Sequence, residues 1–243
     1  MIILSFDTTA KIASVAVHDD DRRLGICNVD NGLTQSELLL PMANDLLRSL
    51  HLSYDDVGLL ATSVGPGSFT GVRIGTSVVK GLAFAKGIPC VGVSTLDELA
   101  ENLRGLNGIL CPCMDARRSQ VYNALYSSSG NEILKLTEDR AISLADLAEE
   151  LRNYEGKAIY LSGDGYVQAR AALDERGIKT EHTPALLIGE NASSVAAIAY
   201  RKYLAGECVT DLDIAPTYLR MPQAERERLE RMKEKEQGEK LNG

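Results

Sequence analysis

The chain has 243 residues, of which 44% are apolar and 25% are charged, close to the averages of a soluble globular protein. Its formal net charge of −8 argues against an autonomous nucleic-acid-binding protein, for which a basic face is expected. No apolar run approaches the roughly 20 residues that a membrane helix needs, so the sequence predicts no membrane association.

The first residues and the cysteines indicate the compartment. Residues 1–7 lack the basic leader and the small-residue cleavage site of a secretion signal, and we expect them to form a strand. Three cysteines are scattered in or beside apolar stretches: Cys27, Cys90 and Cys208. Cys111 and Cys113 are too closely spaced for the usual zinc site. We interpret this pair as buried apolar residues, with a redox or metal role as the alternative, and we expect a cytoplasmic protein without a metal site.

A first lobe is predicted over residues 1–106 from alternating strand and helix patterns. Its first three strands form a meander, and the helix after them begins at Thr34, which has capping-box spacing to Glu37. In chain order the elements are strands over about 2–7, 12–18 and 23–29, a helix over about 34–50, a strand over 57–64, a helix over about 71–86, a strand over 88–93 and a helix over about 95–104.

A second lobe is predicted over residues 107–222, because the plan of the first lobe starts again near Gly108. Asp7 and Asp115 each follow a strand and precede a short polar turn and a returning strand. The elements are strands over 109–114, 120–126 and about 157–162, a helix capped by Ser143, a helix after the turn at 163–165, and a helix capped by Asn191 that runs to about 205. Residues 223–243 form a charged tail of interleaved signs, predicted to be a solvated helix or a disordered end.

The alternation of strands and helices predicts an α/β fold with a mixed sheet in each lobe. Two duplicated lobes, each opening on a hairpin with an aspartate at its bend, resemble the architecture shared by actin, Hsp70 and the sugar kinases. This is the ASKHA architecture, whose lobes are ribonuclease H-like. In it, the two hairpins hold nucleotide phosphates from opposite sides of a cleft. The resemblance implies such a cleft between the two predicted lobes.

Three turns carry residues that could bind a nucleotide: Asp7, Thr8, Thr9, Asp115, Gly163 and Gly165. Carboxylate and hydroxyl groups at the first turn could hold a magnesium ion and phosphate oxygens, and glycines at the third permit a close ligand approach. The second turn is a poor phosphate loop, because Arg117 and Arg118 stand where small residues are expected. Each turn is also explained as a plain turn that bonds its own backbone. We therefore treat the group as a vestigial site, with weak ATP or ADP binding left open.

The segment 65–73, Gly-Pro-Gly-Ser-Phe-Thr-Gly-Val-Arg, is the most specific stretch of the sequence. Its glycines and proline predict a tightly determined loop. The loop leads into a helix, whose N-terminus attracts anions. No Gly-Lys-Ser/Thr follows, so the segment is not a Walker loop.

The helices predicted over 34–50 and 71–86 have features of a docking surface. The first carries a wider apolar stripe than one sheet face requires, and the second leaves small-residue patches where another backbone could approach. We predict a partner-binding surface formed by Leu39, Met42, Ala43 and Leu46 from the first helix and by Arg73, Gly75, Thr76 and Val79 from the second. The alternative is a pair of helices enclosed in their own core, and periodicity alone does not separate the two.

Taken together, the motifs resemble the bacterial TsaB family, also called YeaZ. The resemblance rests on Ser-Phe-Asp-Thr-Thr over 5–9, Gly-Pro-Gly-Ser-Phe-Thr-Gly-Val-Arg-Ile-Gly over 65–75, Gly-Leu-Ala over 81–83, Gly-Val-Ser-Thr-Leu over 92–96, Met-Asp-Ala-Arg over 114–117 and Pro-Thr-Tyr-Leu-Arg over 216–220. It spans residues 1 to about 222, and the glycine-rich segment with its following helix is the most discriminating part.

The resemblance implies a role in making N6-threonylcarbamoyladenosine beside the anticodon of tRNAs. It implies a non-catalytic subunit that binds and activates the paralogue TsaD, with TsaE as the ATPase partner. TsaD-type sequences carry two metal-binding histidines in the pattern Gly-Val-Asn-His-x-x-x-His, and Thr95 and Leu99 take their places here. We therefore expect no TsaD-like metal reaction and no required cofactor. Alone, the chain is expected to form a homodimer through its docking helices, and it is expected to meet tRNA only through the complex.

Two other functions are considered. A nucleotide-dependent phosphotransferase of the sugar-kinase class would use Asp7 but needs a working second phosphate loop. A peptidase would need a metal motif, and the histidines His18, His51 and His182 are widely spaced. The partner-subunit function is favoured over both.

Overall fold

A computed structural model describes residues 1–32 and 34–220, and the predicted tail over 223–243 lies outside the described residues. The strands are β1 (Ile2–Asp7), β2 (Ala13–Asp19), β3 (Arg22–Val29), β4 (Val57–Ser63), β5 (Cys90–Val93), β6 (Gly108–Asp115), β7 (Gln120–Asn123), β8 (Tyr126–Ser129), β9 (Glu132–Lys135), β10 (Arg140–Ser143) and β11 (Ile159–Ser162). The α-helices are α1 (Gln35–Ser49), α2 (Phe69–Lys86), α3 (Thr95–Glu101), α4 (Leu144–Leu151), α5 (Tyr166–Asp174) and α6 (Ala192–Leu204). Across the described ranges, no helix is long and apolar enough to cross a membrane.

The first lobe is built on a five-stranded sheet in the order β3-β2-β1-β4-β5. β1, β2 and β3 form the predicted antiparallel meander, and β4 and β5 run parallel to β1. Because side chains alternate along a strand, Leu4 and Phe6 pack in one cluster with α1 and α2, whereas Ile3 packs in another with α6. Helices therefore cover both faces of the sheet, which explains why β1 and β2 are buried along almost their whole length.

The second lobe is built on a six-stranded sheet in the order β10-β7-β6-β8-β9, with β11 also paired to β6. β11 pairs in parallel with β6, and β7 and β8 pair antiparallel with it in one register, in which Cys113 lies opposite Asn123 and Leu110 lies opposite Tyr126. The break between β7 and β8 falls beside Pro112, which has no N–H to donate to the ladder. The strand predicted over 120–126 is therefore two strands. The described residues give this lobe no counterpart of β5.

α6, the final helix within the described residues, returns to the first lobe. The Ser5 hydroxyl donates to the carbonyl of Ala192 at 2.7 Å, and the N–H of Ala192 donates to the Ser14 hydroxyl at 2.8 Å. Further along α6, Val195 packs in an apolar cluster with Ile3. The predicted lobe boundary at residue 106 stays a prediction. The packing adds that α6, which follows the second lobe in sequence, covers one face of the first sheet.

The structure corrects the predicted partner-binding surface, because most of its residues lie in the core of the first lobe. Leu46 is half-buried against the same core, and Arg73 is exposed. The wide stripe on the helices is needed because α1 and α2 pack on the sheet and against each other. Leu40 and Phe84, 41% and 80% exposed, are the large apolar residues that the described parts of these helices present to solvent. The buried members of the predicted surface are Leu39, Met42, Ala43, Gly75, Thr76 and Val79.

Leu39→Ala is expected to lower the free energy of unfolding by about 2–5 kcal/mol, because a fully buried leucine loses its contacts and leaves a cavity. Leu40→Ala, one residue further along α1, is the matched control, and its expected loss is under about 1 kcal/mol. Denaturant unfolding followed by circular dichroism measures both. Equal losses in the two variants would contradict the packing described for α1.

Candidate functional site between the lobes

A cavity of about 430 Å³ lies in the cleft where the turns of both lobes meet. Its walls are formed by the β1–β2 turn, the glycine-rich segment, the β6–β7 turn and the chain just before the end of the described residues. The lining residues fall in 9–11, 66–69, 114–117 and 217–220, together with Tyr122 and Asp164. The hairpin turns of the two predicted lobes therefore do face a common cleft.

The first hairpin turn uses its polar groups internally. Asp7, Thr8 and Thr9 are fully buried. The N–H and the hydroxyl of Thr9 donate to Oδ1 of Asp7 at 2.6 and 2.8 Å. The Thr8 hydroxyl donates to the carbonyl of Gly71 at 2.7 Å. The turn considered as a vestigial nucleotide site thus has its hydrogen bonds satisfied by its own lobe.

The glycine-rich segment closes over that turn. The N–H of Ser68 donates to the carbonyl of Thr9 at 2.6 Å. A Cβ on Gly67 would lie 2.5 Å from the same oxygen, and a Cβ on Gly71 would overlap the carbonyl of Thr8. These two glycines are therefore required by close backbone packing. The start of α2 is capped by the hydroxyl of Ser68, which accepts from the N–H of Gly71 at 3.2 Å.

The second hairpin turn is similarly engaged. The N–H of Asp115 donates to Asp164 at 2.7 Å, and Oδ1 of Asp115 accepts from the N–H of Arg117 at 2.8 Å and from Gln168 at 3.1 Å. A Cβ on Gly165 would lie 2.8 Å from the carbonyl of Cys113. Gly163, with φ +90°, approaches the same carbonyl, so both glycines serve the packing of this turn on β6.

Two buried glutamates lie close to Asp7, and sequence reasoning did not select them. Glu98 accepts from the N–H of Asn191 at 2.7 Å and from the hydroxyl of Ser63. Burial raises the pKa of Glu98 well above its ordinary value, and the adjacent Asp7 carboxyl raises it further. Glu98 lies on the helix through which the chain leaves the first lobe, in a run that looked like an ordinary apolar helix face.

Glu190 lies just before α6, where the chain passes from the second lobe back to the first. It is 4% exposed, and its Oε1 has no hydrogen-bond partner within the described structure. Burial raises the pKa of Glu190 to about 8, and the carboxylates of Asp7, Asp164 and Asp30 add to the shift. Both connections between the lobes therefore hold a buried carboxyl group whose pKa is raised by burial.

The positions that correspond to the TsaD histidines carry no metal ligand. Thr95 and Leu99 are fully buried, and Leu99 packs in an apolar cluster with Met114. Over residues 1–32 and 34–220, no group of three His, Cys, Asp or Glu side chains has the geometry to hold a metal ion. The fully buried Cys111 and Cys113, with sulfur atoms 3.8 Å apart, are consistent with the interpretation of this pair as small core residues.

The fold and the cleft define the class of protein. Two α/β lobes with related strand orders, each opening on a hairpin whose turn borders one cleft, form an ASKHA architecture of ribonuclease H-like lobes. The predicted fold class is confirmed.

The comparisons with known proteins give the family. A family model described as "TsaD: tRNA N6-adenosine threonylcarbamoyltransferase" matches residues 31–227. The "tRNA threonylcarbamoyladenosine biosynthesis protein TsaB" of Bacillus subtilis is 30% identical over 233 residues, covering 96% of this chain and 100% of the relative. TsaB of Escherichia coli is 32% identical over 226 residues, covering 90% and 95%. The solved structure of YeaZ from Pseudomonas aeruginosa is 25% identical with a TM-score of 0.72, covering 90% and 99%. The chain belongs to the TsaB (YeaZ) family of tRNA threonylcarbamoyladenosine biosynthesis proteins.

Gly71→Ala is expected to destabilise the fold, because the added methyl group would overlap the carbonyl of Thr8 and displace the loop from the turn. Gly81→Ala, on the same helix, is the matched control. Its site is open, and replacing a helical glycine there should raise the free energy of unfolding by about 0.5–1 kcal/mol. Thermal and denaturant unfolding measure both variants. Stabilisation by both would show that the loop does not pack on the turn as described.

Stability is expected to fall as pH rises through about 8, the pKa of folded Glu190. That value lies above the ordinary 4.5, so the contribution is fully present below the ordinary pKa and is lost as pH passes the folded one. Glu190→Gln, neutral at every pH, should reduce this loss. Urea unfolding from about pH 5 to about pH 9 measures the slope. Glu175→Gln, at a side chain 77% exposed, is the control, and an unchanged slope in Glu190→Gln would exclude Glu190 as the titrating group.

Proposed function

We propose that this chain is a non-catalytic subunit that binds and activates a TsaD-type transferase in the synthesis of N6-threonylcarbamoyladenosine on tRNA, with a TsaE-type ATPase as a third component. Membership of the TsaB family supports the pathway. The non-catalytic role of the chain is supported by the hydrogen bonding of the residues that border the cleft. Both hairpin turns use their polar groups within the chain, and Thr95 and Leu99 replace the paired imidazoles of a TsaD-type metal site.

The outer side of α1 and α2 also supports a docking role, but through residues other than those predicted from the sequence. Leu40 and Phe84 expose apolar surface there, and Leu46 and Val78 are half-buried at the margins of the core. Exposed apolar area favours association, because burying it against a partner removes it from water. We propose that this side faces the TsaD-type paralogue and pairs two copies of the chain when the paralogue is absent.

No cofactor is required in this proposal. Weak ATP or ADP binding in the cleft stays a prediction, and the enclosed Asp7, Thr8 and Thr9 argue against tight binding at the first turn. We expect the chain to act in the cytoplasm, where it would meet tRNA as part of the complex.

The test is product formation on unmodified tRNA with the cognate TsaD-type and TsaE-type proteins, threonylcarbamoyl-adenylate and ATP, with this chain present or omitted. Repeated turnover is expected only when the chain is present. Leu40→Glu combined with Phe84→Glu should weaken pairing, measured by analytical ultracentrifugation, and should slow product formation. Leu134→Glu, at a 65% exposed apolar position on β9, is the matched control.

Two outcomes would contradict the proposal. Product formation that is unaffected by omission of the chain would remove the activating role. Turnover of magnesium–ATP by the isolated chain, with transfer of a phosphoryl group, would favour the phosphotransferase alternative.

A further inference from the structure

Five cationic side chains gather at the mouth of the cleft despite the acidic balance of the whole chain. We call them the basic rim: Lys11, Arg73, Arg117, Arg118 and Arg220. Three of them line the cavity directly, and Arg118 follows Arg117 in the same exposed turn. The carboxylates of Asp115 and Asp164 also line the cavity, and each is already bonded within the second lobe.

The turn that displays two of these arginines has an unfavourable backbone. Arg117, Arg118 and Ser119 have φ angles of +64°, +54° and +56°, a region that residues other than glycine seldom occupy. The conformation is held by Asp115, which accepts from Arg117 N, and by the N–H of Leu144, which donates to the Ser119 carbonyl. A strained turn that is fixed in this way is typical of a functional segment. Its result is that the side chain of Arg117 is 85% exposed at the cleft, where its guanidinium lies 3.3 Å from Oδ2 of Asp115.

Planar groups stand beside the charges. The guanidinium of Arg73 lies 3.8 Å from the centre of the Phe69 ring and bonds the hydroxyl of Tyr218, whose ring centre is 4.8 Å from that of Phe69. Across the cleft, the guanidinium of Arg220 lies 5.7 Å from the centre of the Tyr122 ring. All three aromatic residues line the cavity, and each ring lies beside a guanidinium, so planar groups and positive charges occur together.

The chain segment before the end of the described residues joins the two halves of this surface. The N–H of Thr217 donates to the carbonyl of Val64 at 2.7 Å in the first lobe. Arg220 donates to the carbonyl of Ala116 at 3.0 Å and to the side chain of Gln120 in the second. The rim is therefore set by contacts to both lobes.

We propose that the basic rim binds a single-stranded segment of RNA, with unpaired bases stacked on the aromatic and guanidinium planes and phosphates held by Lys11, Arg117 and Arg118. Alternating charge and flat apolar surface fits unpaired nucleotides better than an acidic peptide, which would need only the charges. A duplex keeps its bases stacked inside and would not fill the cavity between the lobes. The inference rests on the proposed function, since a tRNA loop would reach the rim in the complex with the TsaD-type paralogue.

The test measures binding of a fluorescent RNA stem–loop, carrying the tRNA anticodon loop, to the complex of full-length chain and TsaD-type partner. Arg117→Ala combined with Arg118→Ala should weaken binding about tenfold at low salt and lower the slope of log affinity against log salt by about 1–1.5. Replacing both with lysine should restore most of the slope, because the phosphate contacts need charge. Tyr218→Leu should weaken binding with little change of slope, because it removes a stacking surface.

The matched control is Arg22→Ala with Arg23→Ala, two adjacent exposed arginines at the β2–β3 turn. Equal losses in the two double variants, or no loss at the rim, would overturn the inference. A rim variant that weakens pairing with the TsaD-type or TsaE-type protein but leaves RNA affinity unchanged would identify a protein contact and overturn it as well. The activity assay separates the two proposals: product that depends on the chain, together with unaltered RNA binding by the rim variant, defeats only the inference drawn here.

Discussion

The packing of the glycine-rich segment on the first hairpin turn is the constraint from which the geometry of the cleft follows. Gly67 and Gly71 let two backbones approach within hydrogen-bond distance, and no side chain larger than hydrogen fits between them. The turn thereby loses the free N–H groups and hydroxyls that would receive an anion. The contact also fixes the start of α2, which carries Arg73. It brings Val64 to the place where its carbonyl accepts from the N–H of Thr217.

Two buried carboxyl groups near this contact, those of Glu98 and Glu190, have pKa values raised by burial. Glu98 is held by a hydroxyl and a backbone N–H, and Glu190 has an oxygen without a partner in the described chain. Burial without a cationic partner raises the free energy of a carboxylate, so it favours the protonated form of the group. Each connection between the lobes therefore holds a carboxyl group whose pKa is raised by burial.

Much of the architecture follows from local signals. Alternating apolar strands, the helix caps at Ser143 and Asn191, and the left-handed Gly87 that ends α2 lie where sequence patterns indicate. The family motifs identified the fold and the pathway. Burial of Leu39 and Val79 was not predictable, because an apolar stripe has the same period whether a sheet or a partner covers it. The burial of Glu98 and Glu190 was not predictable from the sequence, because only tertiary packing distinguishes a buried glutamate from a solvated one.

The return of α6 to the first sheet has a consequence for biosynthesis. A ribosome releases the strands of that sheet early, but Ile3 and Ser5 receive their cover only when residues 192–204 have emerged. For most of translation one apolar face of the nascent sheet stands open to water, so the first lobe is vulnerable to aggregation and to chaperone capture. The first lobe cannot finish folding until α6 has been synthesised. The lobe whose strands are made first is therefore not completed first.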